Sequence, residues 1–142
     1  MNDSIEFGIS MTLLRGAKDE ARQAEHLGYD YLLTGEHIMF HTPVGNTLVS
    51  LAAAAGATER IKLMSGIALV PLYPAALLAK QVAVLDAVSD GRFSLGIGVG
   101  GEFAKEFDAV GVPVKERGAR TDEALEVIKR SFEDYDAKFP RR

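Results

Sequence analysis

Short apolar runs recur along this chain at intervals of about 30 residues, and this spacing constrains its fold more than any other feature. The runs begin at Ile5, Asp30, Ile61 and Phe93, which lie 25, 31 and 32 residues apart. A strand, a helix and a second parallel strand together take roughly 30 residues. Because no pair of runs reads as a hairpin, the sequence predicts an α/β fold with a parallel sheet.

Segments with helical periodicity separate these runs. We predict helices over about residues 17–28, 47–58, 75–89 and 118–132, and a short extra helix over 102–110. Gly28 follows the first helix as a candidate C-cap, and Ser89-Asp90-Gly91 is typical of a turn. From about residue 131 we expect a polar tail and no fifth strand. Residues 1–142 would then form a single domain of four βα units.

The chain is long enough for only half of a closed α/β barrel. A complete eight-stranded barrel takes about 250 residues, whereas this chain has 142. The third and fourth runs, residues 61–70 and 93–99, are apolar throughout, as expected of strands covered on both faces. An open half-barrel would leave the edge of the fourth strand unprotected by charge or proline. We therefore expect a homodimer, or a complex with a complementing C-terminal half.

Composition excludes several classes of function. A net charge of −4 gives no electrostatic reason to expect nucleic acid or an anionic membrane surface as a partner. The absence of cysteine excludes disulfides and thiolate chemistry, and no cluster has the spacing of metal ligands. No segment resembles a signal peptide or is long and apolar enough to span a membrane. We expect a cytoplasmic protein that acts on a small molecule.

The best candidate for proton transfer follows the second run directly. Ligands of parallel α/β folds gather beyond the carboxyl ends of the strands, and Glu36-His37 lies at such an end. A histidine there exchanges protons near neutral pH, while the adjacent carboxylate or a backbone carbonyl fixes its tautomer. The alternative interpretation is a structural histidine that hydrogen-bonds a loop.

A glycine-rich segment follows the fourth run. Gly96, Gly98 and Gly101 satisfy the G-x-G-x-x-G pattern of dinucleotide-binding folds. The surrounding sequence argues against a dinucleotide-binding fold. In that fold the pattern follows the first strand, and a second strand ends in an acidic residue about 20 residues later. Here the pattern follows the fourth strand, and no such second strand is present. The glycines fit better as positions where a strand end approaches a flat ligand or a neighbouring backbone.

Several strings in order resemble the bacterial luciferase-like monooxygenase family, from about residue 5 to residue 130. They are Ala24-Glu25-His26-Leu27-Gly28-Tyr29-Asp30, Gly35-Glu36-His37, Thr58-Glu59-Arg60-Ile61-Lys62-Leu63, Pro71-Leu72-Tyr73-Pro74, Leu78-Ala79-Lys80-Gln81, Gly91-Arg92-Phe93, Gly96-Ile97-Gly98, Glu106-Phe107, Gly111-Val112-Pro113 and Glu116-Arg117-Gly118. The resemblance implies the N-terminal half of a TIM barrel, a parallel (βα)4 unit. It also implies either reduced FMN with oxygen or hydride transfer by coenzyme F420.

The resemblance also implies roles for individual residues. His37 matches the family's catalytic histidine, preceded by an acid as Glu36 is here. Gly66-Ile67 matches a third-strand position that often holds a non-prolyl cis peptide and a bulge under the cofactor ring. Ser65, Gly66 and Ile67 would support the ring face. Gly98, Gly100 and Gly101 would line the pocket floor.

Two departures from the family pattern limit these expectations. Bacterial luciferase has a reactive cysteine and a phosphate-binding arginine where this chain has Gly98 and Val99, which argues against light emission. Family members are about twice as long, and their cofactor phosphate site comes from later strands. We therefore expect weak cofactor binding by this half alone. Two alternatives stay open: a non-catalytic half-barrel acting as an assembly or cofactor-binding module, and a flavodoxin-like doubly wound domain.

Overall fold

In a computed structural model, residues 5–12 and 15–138 are described, with side chains described up to residue 132. Residues 1–4, 13–14 and 139–142 lie outside the described residues, and they include the end of the predicted polar tail. In the described part, six short strands and five α-helices follow one another. The strands are β1 (Gly8–Ser10), β2 (Tyr31–Thr34), β3 (Lys62–Ser65), β4 (Ala68–Leu69), β5 (Phe93–Ser94) and β6 (Ile97–Gly98). The helices are α1 (Ala17–His26), α2 (Thr47–Ala55), α3 (Ala75–Val88), α4 (Ala104–Ala109) and α5 (Arg117–Lys138).

The strands pair in parallel, as the spacing predicts. The main sheet has the order β1-β2-β3-β5, and β4 pairs with β6 in a second, two-stranded sheet. Every pairing is parallel. Helices connect the successive strands of the main sheet, and all strand carboxyl ends face the same side of the molecule. Four βα units in a parallel arrangement are confirmed.

The third and fourth predicted strands are each interrupted, which the sequence analysis did not foresee. Residues 66–67 separate β3 from β4, and residues 95–96 separate β5 from β6. At this break the Ser65 hydroxyl accepts from the Gly96 N–H and donates to the Gly96 carbonyl, both at 2.8 Å. A side chain thus replaces the regular ladder bonds, and β4 and β6 continue as a separate sheet.

The helix termini follow local sequence signals. At the end of α1, Gly28 has a φ of 86°, the Gly28 N–H bonds the Glu25 carbonyl and the Tyr29 N–H bonds the Ala24 carbonyl. This pattern is a Schellman motif, so the predicted C-cap is confirmed. The Asn46 side chain caps α2 by accepting from the Val49 N–H at 3.0 Å.

The last helix extends further along the chain than the sequence predicts. It begins at Arg117 and continues to Lys138, beyond the predicted end at residue 132. Its apolar stripe ends near Phe132, but Lys, Glu and Ala are good helix formers, and no proline or glycine lies between Phe132 and Pro140. Polar composition alone therefore does not end this helix.

Arg92 links the end of α2 to the residues that precede β3 and β5. Its guanidinium donates five hydrogen bonds, to the carbonyls of Ala55, Thr58, Ile61 and Ser89 and to the Thr58 hydroxyl, at 2.8–3.1 Å. Ala55 is the last residue of α2, where carbonyls lack partners within the helix. The contacts make Arg92 a structural residue of the scaffold that supports the strand ends.

Glu25 performs a similar role at the start of β3. Its carboxylate accepts from the backbone N–H groups of Glu59, Arg60 and Ile61. Partial burial opposes the charged form, but these three hydrogen bonds and the Arg60 charge hold the pKa of Glu25 below its usual value.

The main core lies between the sheet and the helices. Leu32, Leu51, Leu63, Leu78 and Val82 are fully buried there. A smaller cluster of Leu69, Leu72, Phe107 and Val112 lies beyond the strand ends. No helix in the described part of the chain is long and apolar enough to cross a membrane.

The open side of the second sheet keeps apolar side chains in solvent. Ile67 is 43% exposed, Ile97 37% and Val99 46%. Leu69 of β4 is buried against the smaller cluster. Three apolar side chains of the interrupted strands therefore remain uncovered.

Candidate functional site

A cleft of about 260 Å³ lies at the carboxyl ends of the strands, and we call it the glycine cleft. Its wall includes Gly35, Gly66, Gly100 and Gly101, and His37 borders it. A Cβ on Gly35 would lie 2.9 Å from the Gly66 carbonyl oxygen, and Gly100 and Gly101 have φ values of 60° and 109°. Gly35 therefore has no room for a side chain beside the Gly66 backbone, and Gly100 and Gly101 hold backbone conformations that favour glycine. Side chains such as Ile67, Leu69 and Phe103 form other parts of the lining.

The peptide bond between Gly66 and Ile67 in this wall is cis, as the resemblance implied. The Gly66 N–H still bonds the carbonyl of Thr34, at 2.8 Å, and the Ala68 N–H bonds the carbonyl of Gly96, at 2.9 Å. Hydrogen bonds on both sides of residues 66–67 thus fix this part of the cleft wall.

The structure brings some of the predicted site residues to the cleft and places others behind it. Glu36, His37, Gly66, Ile67, Gly100 and Gly101 line the cleft. Ser65 is fully buried and bonded to Gly96. A Cβ on Gly98 would lie 1.9 Å from the Ile67 side chain, so Gly98 makes room for Ile67. Ser65 and Gly98 thus support the wall from behind.

His37 is held by a carboxylate that the sequence analysis did not single out. Its Nδ1 lies 3.1 Å from Oε1 and 3.2 Å from Oε2 of Glu106, which is 1% exposed. Oε1 also accepts from the backbone N–H of Ile38, at 2.6 Å, and of Met39, at 3.4 Å. Because a carboxylate only accepts, Nδ1 carries the proton when the imidazole is neutral, and Nε2 is left as the basic nitrogen.

Glu106 reaches this position from α4, 69 residues along the chain. The neighbouring Phe107 is fully buried, and together they form the inward face of the short helix. The sequence does contain a signal for this role, because Glu106 lies on the apolar face of a predicted helix. A carboxylate is rarely buried without partners, so such a position indicates a buried hydrogen-bonding partner.

Glu36 does not hold the imidazole, contrary to one expectation. Its buried carboxylate accepts from the Leu69 N–H and the Tyr73 hydroxyl, both at 2.7 Å, from the Asn46 amide at 3.2 Å and from the Thr47 N–H at 3.4 Å. Glu36 thus joins the end of β2 to the start of α2 and to β4. Burial, and then the hydrogen bond to Glu36, raise the pKa of Tyr73 well above its usual value.

Aromatic rings surround the other side of the imidazole. The Phe40 ring stacks on His37 with centroids 4.2 Å apart and planes 8° apart. Phe103 meets both rings edge-on, at 5.2 Å from His37 and 5.0 Å from Phe40. Stacking and edge contacts of this kind restrict ring rotation. His37 is therefore fixed by Glu106 on one side and by two phenylalanines on the other.

These features define a class: a parallel α/β fold whose strand ends carry a histidine paired with a buried carboxylate, beside a cleft lined in part by glycines. The profile of the luciferase-like monooxygenases matches residues 7–142. The chain belongs to the luciferase-like monooxygenase family, and its fold is the parallel half of that family's TIM barrel.

Individual relatives agree with this assignment. 4-Hydroxyprotoasukamycin monooxygenase of Streptomyces nodosus subsp. asukaensis is 32% identical over 114 residues, which are 78% of this chain and 30% of the relative. The oxygenating constituent of 3,6-diketocamphane monooxygenase of Pseudomonas putida, solved in complex with FMN, superposes with a TM-score of 0.78 and 25% identity. That match covers 88% of this chain and 38% of the other.

A third relative uses the other cofactor. The coenzyme F420 dependent tetrahydromethanopterin reductase of Methanopyrus kandleri superposes with a TM-score of 0.62 and 27% identity, covering 78% of this chain and 31% of the other. The chain spans between about a third and less than half of the length of the curated relatives that it matches. Its matches thus lie in one part of larger proteins.

Proposed function

We propose that this chain forms the N-terminal half of an oxidoreductase site that uses reduced FMN with oxygen, or F420 for hydride transfer, on a small organic substrate. The observation that carries the proposal is His37, held by Glu106 beside the glycine cleft. The FMN complex of the Pseudomonas putida protein supports the first cofactor. The F420 dependence of the Methanopyrus kandleri reductase supports the second.

The glycine cleft fits the flat ring of either cofactor. Gly66 and Ile67 would support one face of the ring, and Gly100 and Gly101 would line the floor, since glycine positions let the backbone approach a planar ligand closely. A reduced flavin or deazaflavin held there would supply the electrons for oxygenation or hydride transfer.

The residues of this chain would orient the cofactor and move a proton. Glu106 keeps Nδ1 of His37 protonated, so that Nε2 accepts a proton or, after protonation, returns it. Glu36 holds residues 66–69 beside this histidine through the Leu69 N–H. Proton transfer is assigned to His37 and positioning to both carboxylates.

The second candidate is a half-barrel without turnover that serves as an assembly or cofactor-binding module. Its support is that the chain covers only 30–44% of the relatives' length. The phosphate site of such barrels usually comes from loops after the last two strands. Cofactor binding by this chain would then be weak, and a second copy or a C-terminal half would complete the site.

A flavin titration combined with a His37→Gln variant tests the proposed function. We expect weak FMN or F420 binding, seen as a shift of the cofactor's absorbance, in both wild type and variant. Turnover should fall about 10²–10⁴-fold, because glutamine cannot titrate near neutrality. His26→Gln, on the exposed end of α1, is the matched control and should keep wild-type turnover. Unchanged turnover in His37→Gln refutes the proton-transfer role.

The absorbance titration separates the two candidates. A cofactor shift with turnover supports the oxidoreductase. A shift without turnover favours the cofactor-binding module. No shift with either cofactor contradicts both the oxidoreductase and the cofactor-binding module and leaves the assembly module.

A further inference from the structure

The outward surfaces of α2 and α3 differ from the outward surface of α1. Val49 on α2 is 70% exposed, and Leu77, Val84 and Val88 on α3 are 51%, 39% and 59% exposed. The exposed side chains of α1, by contrast, are all charged or polar: Lys18, Asp19, Arg22, Gln23 and His26. A helix at a protein surface normally keeps charged and polar residues on its solvent side. The helices α2 and α3 therefore lack the polar side of a helix that stays in water.

These two helices, both fully described, also add little charge to the surface. The helix α2 contains no charged residue. On α3, Asp86 is buried and Lys80 is exposed. The long stem of a lysine lets its ammonium reach water beside a covered surface. We call the surface formed by the following exposed residues the helix face: Val49, Ala52, Leu77, Gln81, Val84 and Val88.

The α3 part of the helix face has the spacing of a contact between two helices. Four exposed residues are separated by four, three and four positions: Leu77, Gln81, Val84 and Val88. Alternating steps of three and four place side chains in one stripe, which is the heptad pattern with which helices pack against each other. This stripe lies opposite the side of α3 that is buried in the core. It is therefore available to a helix from outside the described chain.

The place of α2 and α3 in the fold limits what can cover the helix face. The helix α1 packs against α2, α2 against α3, and α3 against α5, so α2 and α3 are the inner pair of this row. The main sheet ends at β1 and β5. A second half that completed a barrel would join at those edges, beside the outer helices. The helix face would then remain uncovered.

The helix face is large enough for an interface between two proteins. At 1.5 Å per residue, the 9 residues of α2 and the 14 residues of α3 are about 14 Å and 21 Å long. The outward halves of two helices of these lengths, each about 11 Å in diameter, have roughly 600 Å² of surface. Two such faces together would bury about 1,200 Å², which is the lower limit for specific, stable interfaces.

We propose that the helix face binds the helix face of a second copy of this chain, so that α2 and α3 of both copies form a four-helix interface. Each copy presents the same apolar surface, and a two-fold axis lets one surface cover the other. Burial of the apolar side chains drives the association. Because the buried area is at the lower limit, we expect a dimer that dissociates in the micromolar range.

This contact is separate from the open edges of the sheet and from the glycine cleft. No residue of the helix face borders the cleft. The proposal therefore goes beyond the proposed function, and neither depends on the other.

Charge substitutions test the proposal by sedimentation of the 142-residue chain through the micromolar range. Val84→Glu should raise the dissociation constant of the dimer at least about tenfold, because the interface would bury an unpaired carboxylate. Leu77→Gln, which removes apolar surface without adding charge, should raise it about tenfold. Val99→Glu is the matched control, since it adds the same charge at a similarly exposed position of the second sheet. It should leave this dimer intact.

The control also distinguishes the helix face from the sheet. A wild-type chain that stays monomeric would overturn the proposal. So would a dimer that Val99→Glu dissociates while Val84→Glu and Leu77→Gln leave it intact. Circular dichroism and urea unfolding check that each variant folds as wild type does, which is expected because all three positions are exposed.

A second measurement locates the contact without changing the apolar stripe. The chain has no cysteine, so Ala87→Cys, at an exposed position of α3, carries a single spin label. Labelled chains are mixed with unlabelled, nitrogen-15-enriched chains. We expect the label to broaden resonances of residues 49–53 and 77–88 in the enriched copy. Broadening confined to residues 93–99, or none at concentrations where sedimentation shows a dimer, would overturn the assignment of the helix face.

Discussion

Replacing Glu106 by glutamine should change the tautomer of His37, and this change is measurable without any cofactor. In the native protein, Nδ1 lies 3.1 Å from a carboxylate oxygen that also accepts from the Ile38 N–H. A hydrogen bond to a charged acceptor contributes about 1.5–3 kcal/mol. That energy corresponds to a bias of roughly tenfold to a hundredfold toward the tautomer protonated on Nδ1. Glutamine keeps one oxygen for Ile38 but also presents an amide N–H₂ group that donates to an unprotonated Nδ1.

Nitrogen-15 NMR of the imidazole distinguishes the two tautomers directly. We expect neutral His37 to be protonated on Nδ1 in wild type and to populate both tautomers in Glu106→Gln. Glu102→Gln is the matched control, because Glu102 lines the same cleft and is not the carboxylate at Nδ1. Its spectrum should match that of wild type. A Glu106→Gln spectrum still dominated by the Nδ1-protonated form would refute the argument that the carboxylate selects the tautomer.

Three other predictions concern stability and assembly. Arg92→Ala should lower the free energy of unfolding by about 2–4 kcal/mol in urea denaturation, because several carbonyls lose a charged donor; Arg22→Ala, which removes an exposed ion pair, should change it by less than about 1 kcal/mol. Glu25 has a folded pKa below the unfolded value of 4.5, so its stabilisation is complete above that pH and is lost as pH falls through the folded pKa. The stability difference between wild type and Glu25→Gln should therefore shrink in acid, and a difference that grows would contradict this sign. Light scattering should give a mass above the 15.3 kDa of one chain, since Ile97 and Val99 are uncovered; a stable monomer would show that this surface tolerates water.

The order of strands and helices was predictable from the sequence because it depends on local periodicity. The spacing of apolar runs led to a parallel α/β arrangement, and Gly28 marked a helix end that the structure confirms. The position of His37 after β2 follows from the same pattern. Resemblance to the family added the cis peptide before Ile67, which periodicity does not encode. The polarity of residues 131–138 did not indicate where the last helix ends, since helical and irregular segments share such a composition.

The contacts within the site were decided by tertiary structure. The sequence places Glu36 beside His37, yet α4 brings Glu106 to the imidazole and the backbone directs Glu36 to Leu69 and Tyr73. Neighbours in sequence need not share a direction, because successive side chains leaving a strand point to opposite sides. A partner 69 residues away depends on how two loops meet above the strand ends, and no local pattern contains that information. The sequence by itself therefore determined the scaffold and the position of the histidine, whereas packing between distant segments decided which carboxylate controls its proton.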